Sequence, residues 1–290
     1  MAQFTFDGIG TKWQIDIFED LSEIDQDKLL ARVKNRIEVF DKNYSRFRDD
    51  SLVTKMSKET GVFALPDDAE KMFTLYYDLY KITDGYFTPL VGNILSDAGY
   101  DAKYTLKQKK ELEKAPIWED VMEYKFPNIE IKKPVILDFG AGGKGYLLDL
   151  VAKEIEASGI FEYCIDAGGD ILHKNKVPTR VGLENPENTE EAIGVYNLQN
   201  KSIAGSAGNR RAWGNFTHIM NPKTLISPRD IIAVWVVAET GLVADALATC
   251  LFFVPVSTLS DKYKFEYVLV KKDHSIEKSS NFKGEMFLKS

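Results

Sequence analysis

Ile136-Leu137-Asp138-Phe139-Gly140-Ala141-Gly142-Gly143-Lys144-Gly145-Tyr146-Leu147-Leu148-Asp149-Leu150 changes character twice along its length. An apolar run follows Lys132, Lys133 and Pro134, glycine then fills four of the six positions from Gly140 to Gly145, and the remainder is amphipathic. That pattern predicts a strand, a loop and a helix. Glycines so placed let backbone N–H groups approach a bound group, and the helix that follows adds its positive N-terminal end, so the expected ligand is an anion. Asp138 and Lys144 supply an acceptor-only group and a cation, a pairing suited to ribose hydroxyls on one side and phosphate on the other. The spacing matches neither the dinucleotide fingerprint G-x-G-x-x-G nor the P-loop G-x-x-x-x-G-K-[ST]. A tight strand-to-helix turn without a ligand is the alternative that these residues leave open.

On the C-terminal side, a helix over 146–157 leads through Ser158-Gly159 into Y-C-I-D-A-G-G-D-I-L, a strand ending in paired glycines. A strand pair is expected over 179–200, then a glycine and serine loop, S-I-A-G-S-A-G-N-R-R-A-W-G, with two arginines. Residues 231–238 form a buried strand by composition, 239–253 a helix rich in small residues, and Y-K-F-E-Y-V-L-V-K a strand that closes the core. On the N-terminal side, alternation over 4–18 predicts a hairpin or a bent strand, with Trp13, Ile15 and Ile17 two apart. Helical spacing covers 25–40. A short helix carries Leu52, Val53 and Met56 behind a cap at Asp49, Asp50 or Ser51, and a further helix begins near Asp67 or Asp68. Residues 96–133, lysine-rich at 103–114, are expected to be solvated surface excursions. Strands and helices mingle without a steady βαβ rhythm, which predicts an α+β fold with mixed or antiparallel sheets packed against helices. No repeat and no linker divides the chain, so residues 1–290 are expected to form a single domain.

The composition narrows the function. The chain has 290 residues, 44% hydrophobic and 12% aromatic, enough for a large core. A net charge of −7 with interspersed signs provides no basic stripe, which disfavours nucleic acid and an anionic membrane surface. No run is long enough for a membrane span and the first residues lack the features of a signal peptide, so a cytoplasmic location is expected. Cys164 and Cys250 lie in apolar stretches and are read as buried free thiols. With His173, His218 and His274 scattered, any metal should be hard and oxygen-bound.

Asp245 and Thr249 are four apart on an apolar helix and so share a face. They suit a hard-cation site completed by carbonyls and ligand phosphates; a dipole partner and a back-bonded hydroxyl are the structural alternative. His218 is either a catalytic base or a hydrogen-bonded structural residue.

Eight segments in order resemble the ApbE family, the FAD:protein FMN transferases: G-I-G-T-K-W, Y-S-R-F-R-D-D-S-L, T-D-G-Y-F-T-P-L-V-G, L-D-F-G-A-G-G-K-G-Y-L-L-D, D-A-G-G-D-I, S-I-A-G-S-A-G-N-R-R, H-I-M-N-P-K-T and V-A-D-A-L-A-T. The resemblance runs from about residue 8 to about residue 252. It implies an architecture related to the T-fold, FAD as substrate, Mg2+, and transfer of FMN to a threonine hydroxyl of an acceptor flavoprotein with release of AMP. By the same resemblance, Asp138 and Lys144 contact FAD, and Ala141 offers its carbonyl to magnesium beside Asp245 and Thr249. Ile9 stands at the flavin-contacting position of the first motif, Phe47 matches an aromatic near the flavin, and Tyr86, Phe87 and Thr88 line it. His218 and Ile219 match the histidine motif, with His218 taking the proton of the attacking threonine; a histidine near its unperturbed pKa suits that transfer. The sequence departs from the family at Thr88 and Asn221, where Asp is usual, at Thr224-Leu225 in place of T-G, and in A-G-S-A-G. Loss of the two carboxylates makes a protein that binds FAD with weak turnover an alternative reading, and a hydrolase that cleaves FAD without a protein acceptor is a third.

Overall fold

The structure is a computed structural model that describes residues 1–109, 111–209 and 211–287. Its frame is an eight-stranded sheet of β1 (Ala2–Gly8), β2 (Thr11–Ile17), β3 (Tyr163–Ala167), β4 (Asp170–Lys174), β5 (Ser202–Ala207), β6 (Ile231–Ala238), β7 (Glu266–Lys271) and β8 (Ile276–Lys278). Their order in space is their order along the chain, and each neighbouring pair is antiparallel. The sheet is thus a meander, and the remaining elements are insertions between its strands, apart from Glu285–Met286, which follows β8 and pairs with Asn188–Leu198. Between β2 and β3 come helices α1 (Glu23–Tyr44), α2 (Ala69–Ile82) and α3 (Gly143–Glu156), with a small sheet of Gly61–Ala64, Asn128–Ile131 and Met122–Lys125. The β4–β5 connection carries the strand pair Thr179–Asn185 and Asn188–Leu198, the β5–β6 connection a two-stranded ribbon of Ala212–Trp213 and Phe216–Thr217, and the β6–β7 connection α4 (Gly241–Cys250).

β6 shows why the layers stack as they do. Val234, Val236 and Ala238 enter the core shared with the helices. Ala233, Trp235 and Val237 face the other way, against Val181, Leu183, Tyr196 and Leu198 of the strand pair. Because side chains alternate between faces and both faces are covered, the strand reads as a continuous apolar run. In α1, Leu29, Val33, Ile37, Phe40 and Tyr44 form one buried stripe, and Ser22 caps the helix by accepting from the Asp25 N–H at 3.2 Å. Ser51 caps the short helix Leu52–Met56, accepting from Thr54 N. No helix among the described residues is long and apolar enough to cross a membrane.

Three local expectations are corrected. Residues 136–139 form no strand: Ile136 N donates to Asn93 Oδ1 at 2.8 Å and Asp138 N to Pro89 O at 2.8 Å, so this segment bonds to the short helical stretch over 89–97 rather than to a ladder. S-I-A-G-S-A is not a loop but β5, paired along Ser202–Ala207 with β6, whereas the strand ending in paired glycines is present as β3, with Gly168 and Gly169 at φ of 67° and 96° turning the chain into β4. The charged region before residue 133 is only partly a solvated excursion, because Trp118, Ile129 and Ile131 are buried and anchor a hairpin on α2; Lys110 lies outside the described residues.

Helices α3 and α4 cross at Gly145 and Gly241. A Cβ on either would overlap the carbonyl oxygen of the other. At the crossing Gly145 N donates to Asp245 Oδ2 at 2.9 Å, while Asp149 accepts from Gly241 N at 2.7 Å and Leu242 N at 2.9 Å. Gly145→Ala is therefore expected to force the helices apart and to lower stability by about 1–3 kcal/mol, the usual cost of overpacking. Urea denaturation measures it; a midpoint equal to that of the unaltered protein would show that the crossing tolerates the methyl group.

Candidate functional site

A cavity of about 1000 Å³ opens where the insertions meet. Every site residue expected from the sequence lines it. Ile9 comes from the β1–β2 turn, Phe47 follows α1, and Tyr86, Phe87 and Thr88 follow α2. Asp138, Ala141 and Lys144 belong to the glycine stretch, His218 and Ile219 follow the two-stranded ribbon, and Asp245 and Thr249 lie on α4. The strand pair contributes Arg180 and Val181. Arg210 lies outside the described residues.

Around Asp245 the site is acidic and buried. Its carboxyl is 5% exposed and accepts from Gly145 N. Burial, reinforced by the Asp170 carboxylate and opposed by Lys144, pushes its pKa up to about 7. Lys144 Nζ stands 2.6 Å from Asp170 Oδ2, and Asp170 Oδ1 accepts from Gly205 N at 3.2 Å. Asp170 is a site residue that the sequence reading missed; its one signal is its place directly after the paired glycines. Asp245, Thr249 one turn on and the Ala141 carbonyl offer oxygen donors only, which fits a hard divalent cation. Among the described residues no group of three or more His, Cys, Asp or Glu side chains is placed to hold a metal, so such a cation would draw its other ligands from water or ligand phosphates.

Asp138 is held on both sides. Its Oδ1 accepts from Gly140 N at 2.8 Å, which fastens the glycine loop, and its Oδ2 accepts from Arg46 Nε. Arg46 lies over the rings of Phe47 and Tyr100, at 4.2 and 5.1 Å. Tyr104 stacks on Phe47 at 5.4 Å and Trp213 on Tyr100 at 5.6 Å. Arg211 Nη1 donates to Tyr100 OH at 2.6 Å, and His218 N donates to the Arg211 carbonyl at 3.0 Å. Arg46 and Tyr100 also escaped the sequence reading, which noted Arg211 only as one of two arginines in its loop; the polar loop that holds Arg46 carries no signal of burial.

His218 departs from the ordinary value expected of it. Burial and then the neighbouring Arg211 lower its pKa to about 4, and its Nδ1 is buried without a partner among the described residues. The imidazole is neutral at pH 7. Thr88 and Asn221 are occupied locally: Thr88 Oγ1 accepts from Leu90 N at 3.2 Å, and Asn221 Oδ1 from Lys223 N and Thr224 N at 2.9 and 3.0 Å. The Phe87 ring packs on Tyr76 at 4.8 Å, and Lys223 Nζ lies 4.3 Å from the Tyr86 ring centroid.

The family model described as ApbE family matches residues 9–264. The chain is 28% identical over 191 residues to the FAD:protein FMN transferase of Rhodobacter capsulatus, an alignment covering 60% of this chain but only 36% of that protein. It is 24% identical over 270 residues to the FAD:protein FMN transferase of Haemophilus influenzae, covering 84% of this chain and 78% of that one. Among solved structures, the flavin transferase ApbE from Vibrio cholerae superposes with a TM-score of 0.83 at 20% identity, covering 97% of this chain and 98% of that one. The ApbE protein from Thermotoga maritima gives 0.81 at 20% identity, with the same coverage. The fold is that of these proteins.

The two perturbed groups titrate in inverted order, His218 near 4 and Asp245 near 7. Their linkages have opposite signs. A histidine whose folded pKa is depressed contributes stability that is present above its ordinary 6.5 and is lost as pH falls towards 4. A carboxyl whose folded pKa is raised contributes stability that is present below its ordinary 3.8 and is lost as pH rises through 7. Residue-resolved NMR titration of the ligand-free protein is expected to give these midpoints; a His218 midpoint at 6.5 would mean that its ring is solvated.

Proposed function

The chain belongs to the ApbE family, and from that premise we propose that it is a magnesium-dependent FAD:protein FMN transferase, which moves FMN from FAD to a threonine hydroxyl of an acceptor flavoprotein and releases AMP. The observation that carries the reading is convergence. Residues from six separate segments, matched to the family one by one, line a single cavity whose volume is at the upper end for small-molecule sites. We read residues 1–290 as one domain serving that cavity.

In this reading FAD lies with its pyrophosphate towards Lys144 and the N-terminus of α3, where backbone N–H groups and the ammonium favour an anion. Asp245, Thr249 and the Ala141 carbonyl hold magnesium, which when bound neutralises charge on the phosphate oxygens. Asp138 and Lys144 position FAD, with Ile9, Phe47, Tyr86, Phe87, Thr88 and Ile219 around its rings. The threonine oxygen attacks the FMN phosphorus, the P–O bond to the AMP phosphate breaks, and AMP departs with the bridging oxygen. His218 accepts the threonine proton. Its neutral imidazole at pH 7 is the acceptor form, and the carbonyl of Arg211 fixes its backbone.

One observation favours a second reading, FAD hydrolysis to FMN and AMP or FAD binding with weak turnover. Thr88 and Asn221 serve their own turns, and His218 Nδ1 has no carboxylate partner among the described residues. Incubation with FAD and magnesium, with and without a threonine acceptor peptide, separates the readings by chromatography and mass spectrometry. AMP together with a peptide heavier by one FMN supports transfer, whereas AMP with free FMN and an unmodified peptide supports hydrolysis.

Asp245→Ala is expected to abolish magnesium-dependent turnover in a protein still folded by circular dichroism; full turnover would remove Asp245 from the metal site. His218→Ala is expected to bind FAD with the affinity of the unaltered protein and to transfer FMN at least 100-fold more slowly, on the scale of general-base catalysis. Equal single-turnover rates would dismiss it as the base.

A further inference from the structure

Arg46 is a buried cation that the family resemblance leaves without a role. It follows α1, its side chain is 4% exposed, and it lines the cavity. Its Nε is committed to Asp138 Oδ2, while its Nη2 is buried with no partner among the described residues. A buried N–H without an acceptor is uncommon in a folded protein, and beside a ligand cavity it marks the place of an acceptor that arrives with the ligand.

The surroundings say what kind of acceptor. The charge of Arg46 is already matched by Asp138, whose carboxylate would repel a second anion brought to the same guanidinium. Phosphates are better served elsewhere, at the first turn of α3. Against Arg46 stand the rings of Phe47 and Tyr100, with Tyr104 stacked on Phe47. Such a wall takes a planar heteroaromatic ring, and a guanidinium beside it addresses a neutral nitrogen or carbonyl on the ring edge.

Resting on the reading of the cavity as an FAD site, we infer that Arg46 is a ligand-reading residue. Nη2 donates to a neutral acceptor on the edge of one of FAD's two ring systems, while Nε holds Asp138 against the glycine loop. Adenine and isoalloxazine both offer that chemistry, and AMP and FMN used separately tell them apart.

The test compares the unaltered protein with Arg46→Lys, which keeps the charge but loses the planar fork, and Arg46→Gln, which keeps a neutral donor. FAD affinity is read from flavin fluorescence, AMP and FMN affinity from competition, and magnesium affinity from calorimetry without nucleotide. The expected result is a loss of FAD affinity of about tenfold or more in Arg46→Lys. One of AMP and FMN should lose the same factor, the other less than about twofold, with magnesium affinity unchanged. FAD affinity retained in both variants, or an equal loss for AMP, FMN and magnesium, would overturn the inference, the latter by reducing Arg46 to a brace for Asp138. Failure of the unaltered protein to bind FAD would overturn the reading of the cavity itself.

Discussion

The site depends on two helices whose backbones touch. Gly145 and Gly241 bring α3 and α4 so close that neither position has room for a Cβ. The contact is reciprocal: four residues after each glycine on its own helix stands an aspartate, and each aspartate accepts from the glycine N–H of the opposite helix. Asp149 thereby satisfies first-turn donors of α4, which would otherwise be orphaned, and Asp245 is drawn to the start of α3. Two neutral residues fix the spacing and two acids fix the register. The Asp245 carboxylate is thus held at a set distance from the first turn of α3 by main chain, which does not change rotamer.

That constraint determines the electrostatics of the cavity. Lys144 is paired with Asp170 and Arg46 with Asp138, so two of the buried charges nearest the glycine loop are already balanced. Among the described residues Asp245 has only a backbone donor and a partly diverted Lys144, and burial raises its pKa to about 7. An acid that is unwelcome as an anion in the free protein is one that a cation would restore to the ionised form. Burial, and after it Arg211, lowers the pKa of His218, keeping the imidazole neutral beside a cavity otherwise rich in carboxylates. The ligand-free site is thus short of positive charge near α4 and short of acceptors near Arg46, which supports the reading that a magnesium-bound dinucleotide completes both.

Much of this was legible in the sequence. The hairpin of β1 and β2 showed in Trp13, Ile15 and Ile17, α1 in its buried stripe, and the face of α4 in the spacing of Asp245 and Thr249, because local periodicity and local burial agree there. Other features depend on residues far apart in the chain. Ile136 to Phe139 has the composition of a strand, yet its polar groups find Pro89 and Asn93, and no local pattern reveals that. Arg46 sits in Y-S-R-F-R-D-D-S, which reads as a solvated loop; its burial comes from Tyr100 and Asp138, which are 54 and 92 residues away. The ordinary pKa expected of His218 failed for the same reason, since desolvation is a property of the assembled cavity.

The departures at Thr88 and Asn221 have a common physical form. Each residue keeps a side-chain oxygen that accepts from its own turn, Thr88 from Leu90 N and Asn221 from Lys223 N and Thr224 N. The local geometry that an aspartate would give can therefore persist with a neutral side chain. What changes is charge: where the resemblance would put aspartate, this chain has two neutral side chains. In the proposed reading, the effect of such a change falls on the affinity for a cation and on the basicity of His218 more than on the shape of the cavity. Geometry and electrostatics are thus separable here, and that is why binding and turnover are separate questions for this chain.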